Sequence, residues 1–319
     1  MTAVASENPS FDRLSYWTRR NAVATDGAKV IFKFPLARCE ELAQPELDEV
    51  NARVFDIIGR SWPGGTFGGG KLDMRAVSAR RELLQALNGT SHFSIDTKGN
   101  LDRLVALEVE LMKIFRRHGL MEGIVGWQFP IDIRVVHPRA PDNYLKRRDA
   151  TDYMHCDPWR GEPDDLINVV LYCEVGDSSS QLELYSVNPE ELPRFEAYTG
   201  DEQQSEFLLE GRPPVAFSHR PGQLITFDAY LPHRTRRMGD AVRISLNFSL
   251  RRLSPYAVID GRWDRPRQAW HKFWFVNDTQ ATTFSGRCRE ELRQIAETGS
   301  AEALVARRAA LEKYFGVVA

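Results

Sequence analysis

The sequence predicts a single domain that is mainly β, with helices before and after the strands, arranged as a sandwich or jelly roll. Residues before about 120 repeat their apolar side chains at helical spacing. From Trp127 the period changes to two, as in half-buried strands, and turn signals separate several short strands. Short strands after a helical block are typical of a sandwich or jelly roll. We therefore divide residues 1–319 into a helical N-terminal layer at 1–124, a β core at 125–255 and a C-terminal helical extension at 256–319.

The predicted helices rest on apolar stripes. Helices are predicted over 45–59, 75–88 and 101–118, and two more within 286–315. The stripe of the first helix consists of Leu47, Val50, Val54, Ile57 and Ile58. Gly119 is the predicted C-terminal cap of the third helix, because glycine adopts the left-handed conformation easily. Residues 1–28 are polar and lack clear periodicity, so no helix is predicted there.

The predicted strands are short. They lie at 29–35, 127–135, around His155, and at 168–175, 181–187, 214–218, 222–228 and 243–250. The last of them alternates polar and apolar residues without exception. Its polar face consists of Arg243, Ser245, Asn247 and Ser249, and its apolar face suits packing on helices. The stretch 188–212 is acidic with Pro and Gly, and we predict a surface insertion there.

The charge balance argues against several classes of partner. The chain carries 42 Lys and Arg against 44 Asp and Glu, a formal net charge of −2, which implies no strong attraction to nucleic acid or membranes. No apolar run reaches the length of a membrane span, and the first residues lack the pattern of a signal peptide. The four Cys have no paired spacing and are expected to be reduced thiols in a cytoplasmic protein.

The stretch His155-Cys156-Asp157 carries the first chemical signal. In an extended strand alternate side chains share a face, so His155 and Asp157 would point the same way and Cys156 the opposite way. One imidazole and one carboxylate are two of the three ligands of a facial triad, and the distant His233 supplies the third. Such a triad holds Fe(II) on one side and leaves the opposite side open.

A second signal lies ten residues after His233, where Arg243 and Ser245 stand on the regular strand. A guanidinium can grip a carboxylate through two parallel hydrogen bonds, which a lysine cannot imitate. His-x-Asp, a distal His and Arg-x-Ser at these offsets resemble the Fe(II)/2-oxoglutarate-dependent dioxygenases over roughly residues 125–255. The resemblance implies a double-stranded β-helix, the cupin-like jelly roll. It also implies Fe(II), with 2-oxoglutarate and O2 as cosubstrates and succinate and carbon dioxide as products.

The resemblance also implies roles for individual residues. His155, Asp157 and His233 would bind the metal. Arg243 would pair with the distal carboxylate of 2-oxoglutarate, with a hydrogen bond added by Ser245.

Five further residues have two readings each. Asn168 could hydrogen-bond the carboxylate next to iron, or equally a backbone group at the start of its strand, and Thr235 has a similar status. Three residues that flank the triad would line a substrate pocket or serve only in packing, and these are Tyr153, Trp159 and Arg160.

The expected activity is hydroxylation or desaturation of a small polar metabolite. The pattern His-x-Asp-x-Trp-x-Gly over 155–161 resembles oxygenases of carbohydrates or antibiotic precursors, including the phytanoyl-CoA-dioxygenase-like group, which implies natural-product or carbohydrate biosynthesis. The charged loops 138–150 and 158–165 suit a polar substrate, since buried charges need partners. Asp157 favours oxygenation, because related iron halogenases have Gly or Ala at that position. A zinc hydrolase and a non-redox cupin-like binding protein are the alternatives.

Overall fold

In the computed structural model, two β-sheets face each other and helices cover the larger one. The described residues are 13–22, 29–61, 100–139, 151–252 and 273–275, without positions 125, 129, 177, 199, 201 and 210. The α-helices are α1 (Arg13–Ala22), α2 (Gln44–Ser61), α3 (Leu101–Arg117) and α4 (Leu192–Glu196). Three 3-10 helices lie at Asp157–Arg160, Pro189–Glu191 and Glu202–Leu209. None of the described helices is long and apolar enough to cross a membrane.

The larger sheet has eight antiparallel strands. The strands of both sheets are β1 (Lys29–Phe34), β2 (Ala37–Glu41), β3 (Gly126–Gln128), β4 (Asp132–Val136), β5 (Leu166–Val175), β6 (Gln181–Leu184), β7 (Gln223–Asp228), β8 (His233–Arg236), β9 (Arg243–Arg251) and β10 (Phe273–Phe275). The larger sheet runs β1-β2-β7-β5-β9-β3-β10, and β4 pairs with β9 beside β3.

The smaller sheet is built on β6 and β8, which pair antiparallel. On one side, His155 forms an isolated antiparallel bridge with His233 at the start of β8. On the other side, the backbone N–H of Val215 donates to the carbonyl of Leu184 at 2.7 Å. The smaller sheet therefore alternates with the larger one along the chain, and this order is that of a double-stranded β-helix. The expected fold, mainly β with flanking helices, is confirmed.

The helices pack on the outer face of the larger sheet, as the alternation in β9 predicts. The Phe115 ring of α3 lies 5.2 Å from the Trp127 ring and 5.8 Å from the Phe248 ring. The Asn51 amide of α2 donates to the carbonyl of Cys173 on β5 at 3.1 Å. The apolar residues of β9 are thus buried under helices, and its polar residues face the space between the two sheets.

Several elements differ from the sequence-based prediction. The strand predicted at 127–135 is divided into β3 and β4, and the segment 214–218 has no strand of its own. Within the predicted insertion, Leu192 and Phe195 of α4 are buried, so that segment packs on the body of the protein. The strands β2, β8 and β10 and the helix α1 were not predicted. The helices predicted at 75–88 and 286–315 lie outside the described residues.

The helix boundaries agree closely with the prediction. The helix expected over 45–59 is α2, and its five predicted stripe residues are all buried. The helix expected over 101–118 is α3, followed by Gly119 with a φ of 65°. Three cysteines, Cys39, Cys156 and Cys173, are buried and form no disulfide.

Candidate metal centre and anion pocket

Two strands bring His155 and His233 together at the edge of the smaller sheet. The backbone N–H of His155 donates to the carbonyl of His233 at 3.0 Å, and the reverse bond measures 2.9 Å. This bridge brings the ring centroids to 4.3 Å from each other. The Phe227 ring of the larger sheet lies 4.9 Å from the His233 ring. The imidazole pair therefore sits between the two sheets, at the point where the chain crosses from β7 to β8.

Asp157 reaches the same place by a different backbone path from the one predicted. The strand alternation inferred from the sequence is wrong at this residue, because Asp157 begins a 3-10 helix. The reason is local, since Pro158 fixes its φ near the helical value and suits the first helical turn. The Asp157 Oδ1 atom still lies 3.9 Å from His155 Nε2 and 3.7 Å from His233 Nε2. One ligand atom from each of the three residues lies within 4.8 Å of the others.

Backbone carbonyls select the imidazole nitrogen that faces this centre. His155 Nδ1 lies 2.8 Å from the Tyr153 carbonyl, and His233 Nδ1 lies 2.9 Å from the Leu231 carbonyl. A carbonyl only accepts, so each Nδ1 carries the hydrogen and each Nε2 presents a lone pair. Carbonyl partners of this kind commonly orient metal-binding histidines.

Burial keeps both imidazoles neutral. His155 is 3% exposed and His233 is 9% exposed. Loss of solvation lowers the pKa of His155, and the positive charges of Arg160 and Arg134 act in the same direction. Burial also lowers the pKa of His233, where the Asp157 carboxylate opposes the effect. A neutral imidazole is the form that binds a metal ion.

Asn168 contacts the second oxygen of the Asp157 carboxylate. Its side-chain N–H donates to Asp157 Oδ2, while Oδ1 faces the imidazoles. Neither of the two sequence-based readings of Asn168 named this partner. The contact could not be read from the sequence, because it depends on how the turn at Pro158 folds back toward β5.

Arg243 is a buried cation at the start of β9. The guanidinium donates from Nη1 to the Ser180 carbonyl at 3.3 Å, and its Cζ lies 5.7 Å from the centre of the Tyr172 ring. Its Nε is buried without a hydrogen-bond partner, and Arg243 forms no ion pair with a carboxylate in the described part of the chain. Burial lowers the pKa of Arg243, and the adjacent Tyr172 hydroxyl partly opposes this. A buried cation in this state calls for an anionic partner.

Other polar groups surround the Arg243 guanidinium without partners. The Ser180 hydroxyl and His219 Nδ1 are buried and make no hydrogen bond within the described residues. Tyr172 stands directly across from Ser245 in the β5–β9 ladder, and Arg134 stands across from Ser245 on the other side. The positive charge of Arg134 acts on Arg243 as well as on both imidazoles. The charge of Arg134 therefore influences both the anion pocket and the metal centre.

Ser245 lies in the strand predicted for it, whereas Thr235 lies in β8, where no strand was predicted. Ser245 is fully buried, and its hydroxyl donates to the Asn247 side-chain oxygen at 2.7 Å. Thr235 follows His233 by two residues on β8, so both side chains point to the same face of the smaller sheet. The Thr235 backbone N–H donates to the Thr151 carbonyl at 2.6 Å, which extends the pairing next to the triad.

The three residues suggested for the substrate pocket differ in their contacts. Tyr153 supplies the carbonyl that orients His155. The Trp159 indole N–H donates to the Phe195 carbonyl at 3.0 Å, and its ring packs against Tyr198 at 4.8 Å. Trp159 therefore contacts the part of the chain that contains Phe195 and Tyr198. Arg160 ends the 3-10 helix, and its charge acts on both imidazoles.

Sequence reasoning missed three residues around Arg243, namely Tyr172, Ser180 and His219. Tyr172 could have been found from the pairing of two predicted strands, since both it and Ser245 lie on inward positions. His219 carried no signal in the sequence, because it lies in a segment without regular alternation. The residues around Arg243 are identified as a cluster by their buried polar atoms without hydrogen-bond partners among the described residues.

Comparison with known proteins gives matches to solved structures alone. No family model matches the sequence, and no curated protein matches it. AviO1 from Streptomyces viridochromogenes Tue57 is similar over 78% of this chain and 98% of its own, with 13% identity and a TM-score of 0.38. EctD from S. alaskensis with bound Fe is similar over 80% and 82%, with 12% identity and a TM-score of 0.38.

A third similar structure is the non-heme alpha ketoglutarate dependent carbocyclase SnoK from nogalamycin biosynthesis. The similarity covers 77% of this chain and 85% of SnoK, with 14% identity and a TM-score of 0.35. TM-scores this low carry no argument about fold or chemistry. The fold and the candidate site described above rest on the strand order, the ligand geometry and the Arg243 pocket.

Proposed function

We propose that this protein is an Fe(II)- and 2-oxoglutarate-dependent oxygenase. One observation carries the proposal, which is that three candidate metal ligands and a buried guanidinium without a carboxylate partner among the described residues share the interior of one double-stranded β-helix. Three protein ligands leave coordination positions open for a cosubstrate, and the guanidinium offers an anchor for its far carboxylate.

The donor set fits Fe(II). Two neutral imidazoles and one carboxylate are the ligand types of non-heme Fe(II) oxygenases, and the ligand atoms of His155, Asp157 and His233 lie within 4.8 Å of one another. When bound, the metal and its cosubstrates would supply the oxidising chemistry. The chain's own residues orient the ligands, keep the imidazoles neutral and exclude water from the interior.

The Arg243 pocket fits 2-oxoglutarate. Arg243 offers Nε for a carboxylate, and the buried Ser180 hydroxyl is a further hydrogen-bonding group without a partner. Ser245 and Tyr172 lie next to each other on the same face, toward the metal centre. The charge of Arg134 acts on both His155 and Arg243, which favours a dianionic cosubstrate there. A zinc hydrolase has no use for a buried, unpaired arginine in this position, which supports the oxygenase over that alternative.

Asp157 supports oxygenation over chlorination. A halogenase of this type replaces the carboxylate ligand with Gly or Ala to make room for chloride, whereas Asp157 Oδ1 faces both imidazoles here.

We further propose hydroxylation or desaturation of a small polar metabolite in natural-product or carbohydrate biosynthesis. Arg160 and Arg134 support a polar substrate, because their charges reach the triad from two different elements.

The proposal is tested by measuring succinate. Purified protein with Fe(II), 2-oxoglutarate and air should release succinate slowly, and a screen of metabolite pools should reveal a substrate that accelerates the release. His155→Ala, Asp157→Ala and His233→Ala should each abolish it. His118→Gln is the matched control, since His118 pairs with Glu46 at the far end of α3 and touches no triad residue.

Three results would count against parts of the proposal. Succinate release that persists in the three ligand variants would exclude the triad as the metal centre. Activation by acyl-CoA thioesters or fatty acids, with no response to sugars or amino-acid derivatives, would exclude a polar substrate. Chlorinated product from the unaltered protein would exclude the assignment of oxygenation.

A further inference from the structure

We propose that Ser249 is a positioning residue for the metal centre, and that it acts through the Asn168 amide to fix the rotation of the Asp157 carboxylate. This inference rests on the proposed metal site. Ser249 touches none of the three ligands and lies on β9, on the far side of Asn168 from the triad.

The contacts form a chain of two hydrogen bonds. The Ser249 hydroxyl donates to Asn168 Oδ1 at 3.2 Å, and the Asn168 side-chain N–H donates to Asp157 Oδ2. The other carboxylate oxygen, Asp157 Oδ1, lies 3.9 and 3.7 Å from the two imidazole Nε2 atoms. One oxygen is thus held by the amide, and the other is presented to the metal.

The chemistry of the three side chains permits only one donor-to-acceptor direction for these two hydrogen bonds. An ionised carboxylate accepts hydrogen bonds and donates none, so Asn168 must turn its NH2 group toward Asp157. That orientation turns the amide oxygen toward Ser249, whose hydroxyl then has to donate. Without the hydroxyl, the amide oxygen loses its partner and the amide gains freedom to turn away from the carboxylate.

The backbone holds Ser249 in place for this role. Asn168 and Ser249 are direct partners in the β5–β9 ladder. On the other edge of β9, β3 pairs only with residues 250 and 251, and β4 pairs with residues 243–247. The Gln128 side chain fills the gap by accepting the Ser249 backbone N–H at 2.9 Å. The break between β3 and β4 is therefore closed by a side chain next to the positioning residue.

Fixing the carboxylate matters because both of its oxygens are potential ligands. A freely rotating Asp157 could bind the metal through both oxygens and occupy a position that a cosubstrate needs. Hydrogen-bond partners of metal ligands typically contribute about 10–100-fold to metal affinity or activity. We expect the Asn168 amide to account for an effect of this size, and Ser249 to account for a part of it through the amide.

The test is a titration of metal-free, full-length protein with Co(II) under anaerobic conditions, followed by the visible absorption of the bound ion. Asn168→Ala should weaken Co(II) binding by about 10–100-fold. Ser249→Ala should weaken it by a smaller factor and change the shape of the absorption bands, because the carboxylate geometry changes. Ser249→Thr keeps the hydroxyl and should restore both affinity and spectrum.

The double variant Asn168→Ala/Ser249→Ala separates positioning from a general structural effect. If Ser249 acts through Asn168, the double variant should bind Co(II) as Asn168→Ala does, since coupled residues are not additive. Ser178→Ala is the matched control, because it also removes a serine hydrogen bond to a side-chain oxygen, that of Asp240, but on the exposed edge of the protein.

The outcomes distinguish this inference from the proposed function. Absence of Co(II) binding by the unaltered protein would overturn the metal site itself. Normal binding by the unaltered protein, together with an unchanged affinity and spectrum in Ser249→Ala, would overturn the positioning role alone. Losses that multiply in the double variant would also overturn it, since they would show that the two residues act independently.

Discussion

Arg243 and His219 show how burial defines the function of a single residue. Both are polar groups surrounded by protein, and each has a buried nitrogen without a hydrogen-bond partner among the described residues. An unpaired buried group has an unfavourable free energy unless a ligand completes it or the group loses its charge. Arg243 stays charged and calls for an anion, whereas His219 remains neutral. The two residues therefore give different predictions.

Replacing Arg243 should weaken 2-oxoglutarate binding. Loss of one partner of a buried charged pair typically costs about 3–5 kcal/mol, which is a factor of hundreds or more at about 1.4 kcal/mol per tenfold. The affinity of Arg243→Lys for 2-oxoglutarate should lie between those of the unaltered protein and Arg243→Ala, because lysine keeps the charge and loses the paired hydrogen bonds. The measurement is an anaerobic titration of the Fe(II) protein with 2-oxoglutarate, followed by its weak visible absorption. If Arg243→Ala reaches half saturation at the same 2-oxoglutarate concentration as the unaltered protein, the anchor for the cosubstrate lies elsewhere.

His219 should make the protein less stable in weak acid. Burial lowers the pKa of His219 to about 4, and its hydrogen bond to the Leu182 carbonyl only partly opposes this. The unfolded chain, with an ordinary histidine pKa near 6.5, therefore binds more protons between these values. The free energy of unfolding should fall as the pH drops from about 6.5 to about 4, by at most about 1.4 kcal/mol per pH unit from this group.

The His219 effect is isolated by comparing denaturant unfolding of metal-free protein and His219→Asn at pH 7, 6 and 5. All other titrating groups are common to both proteins, so the difference between the curves reports this residue. The variant should lose less stability than the unaltered protein over this range. Parallel curves would mean that His219 is protonated equally in both states.

Helix α1 is attached to the barrel by buried hydrogen bonds and ion pairs in addition to the packing of Tyr16 and Trp17 in the core. Arg13 Nε donates to Asp228 Oδ1 and Trp17 Nε1 donates to Asp228 Oδ2, each at 2.8 Å. Asp228 is fully buried at the end of β7 and also pairs with Arg252 at 3.1 Å. Arg13 also donates to the Asp164 carbonyl at 2.7 Å, in the loop that follows Asp157. One helix thus contacts both segments that carry the proposed metal ligands.

Arg13→Ala should destabilise the protein by about 3 kcal/mol, because it removes one partner from a buried carboxylate. Arg252 remains beside Asp228, so the loss should lie at the lower end of the range for buried pairs. Arg19→Ala is the matched control on the same helix, since Arg19 is exposed and donates a hydrogen bond to the Ser15 hydroxyl on the same helix. Equal unfolding free energies for the two variants, measured in urea, would contradict the stabilising role of Arg13.

Across the whole molecule, the local regularities were predictable and the long-range ones were not. The stripe of α2 and the alternation of β9 repeat within one element, so the sequence alone predicted both. Helix α1 also has buried residues at helical spacing, but they are Arg13, Tyr16, Trp17 and Arg20, and a search for apolar residues passes over them. The pairing of Asn168 with Asp157 depends on the turn at Pro158, which no pattern within a strand encodes.

The alkylation rates of the three buried thiols can be used to measure local opening of the structure. Cys39 lies on β2, Cys156 between two proposed metal ligands and Cys173 on β5. Burial raises the pKa of each thiol, so alkylation requires the surrounding structure to open. Mass spectrometry after timed alkylation should therefore give a separate opening rate for each position. Added metal should slow the labelling of Cys156 far more than that of Cys39, and a common rate at all three positions would mean that the barrel opens only as a unit.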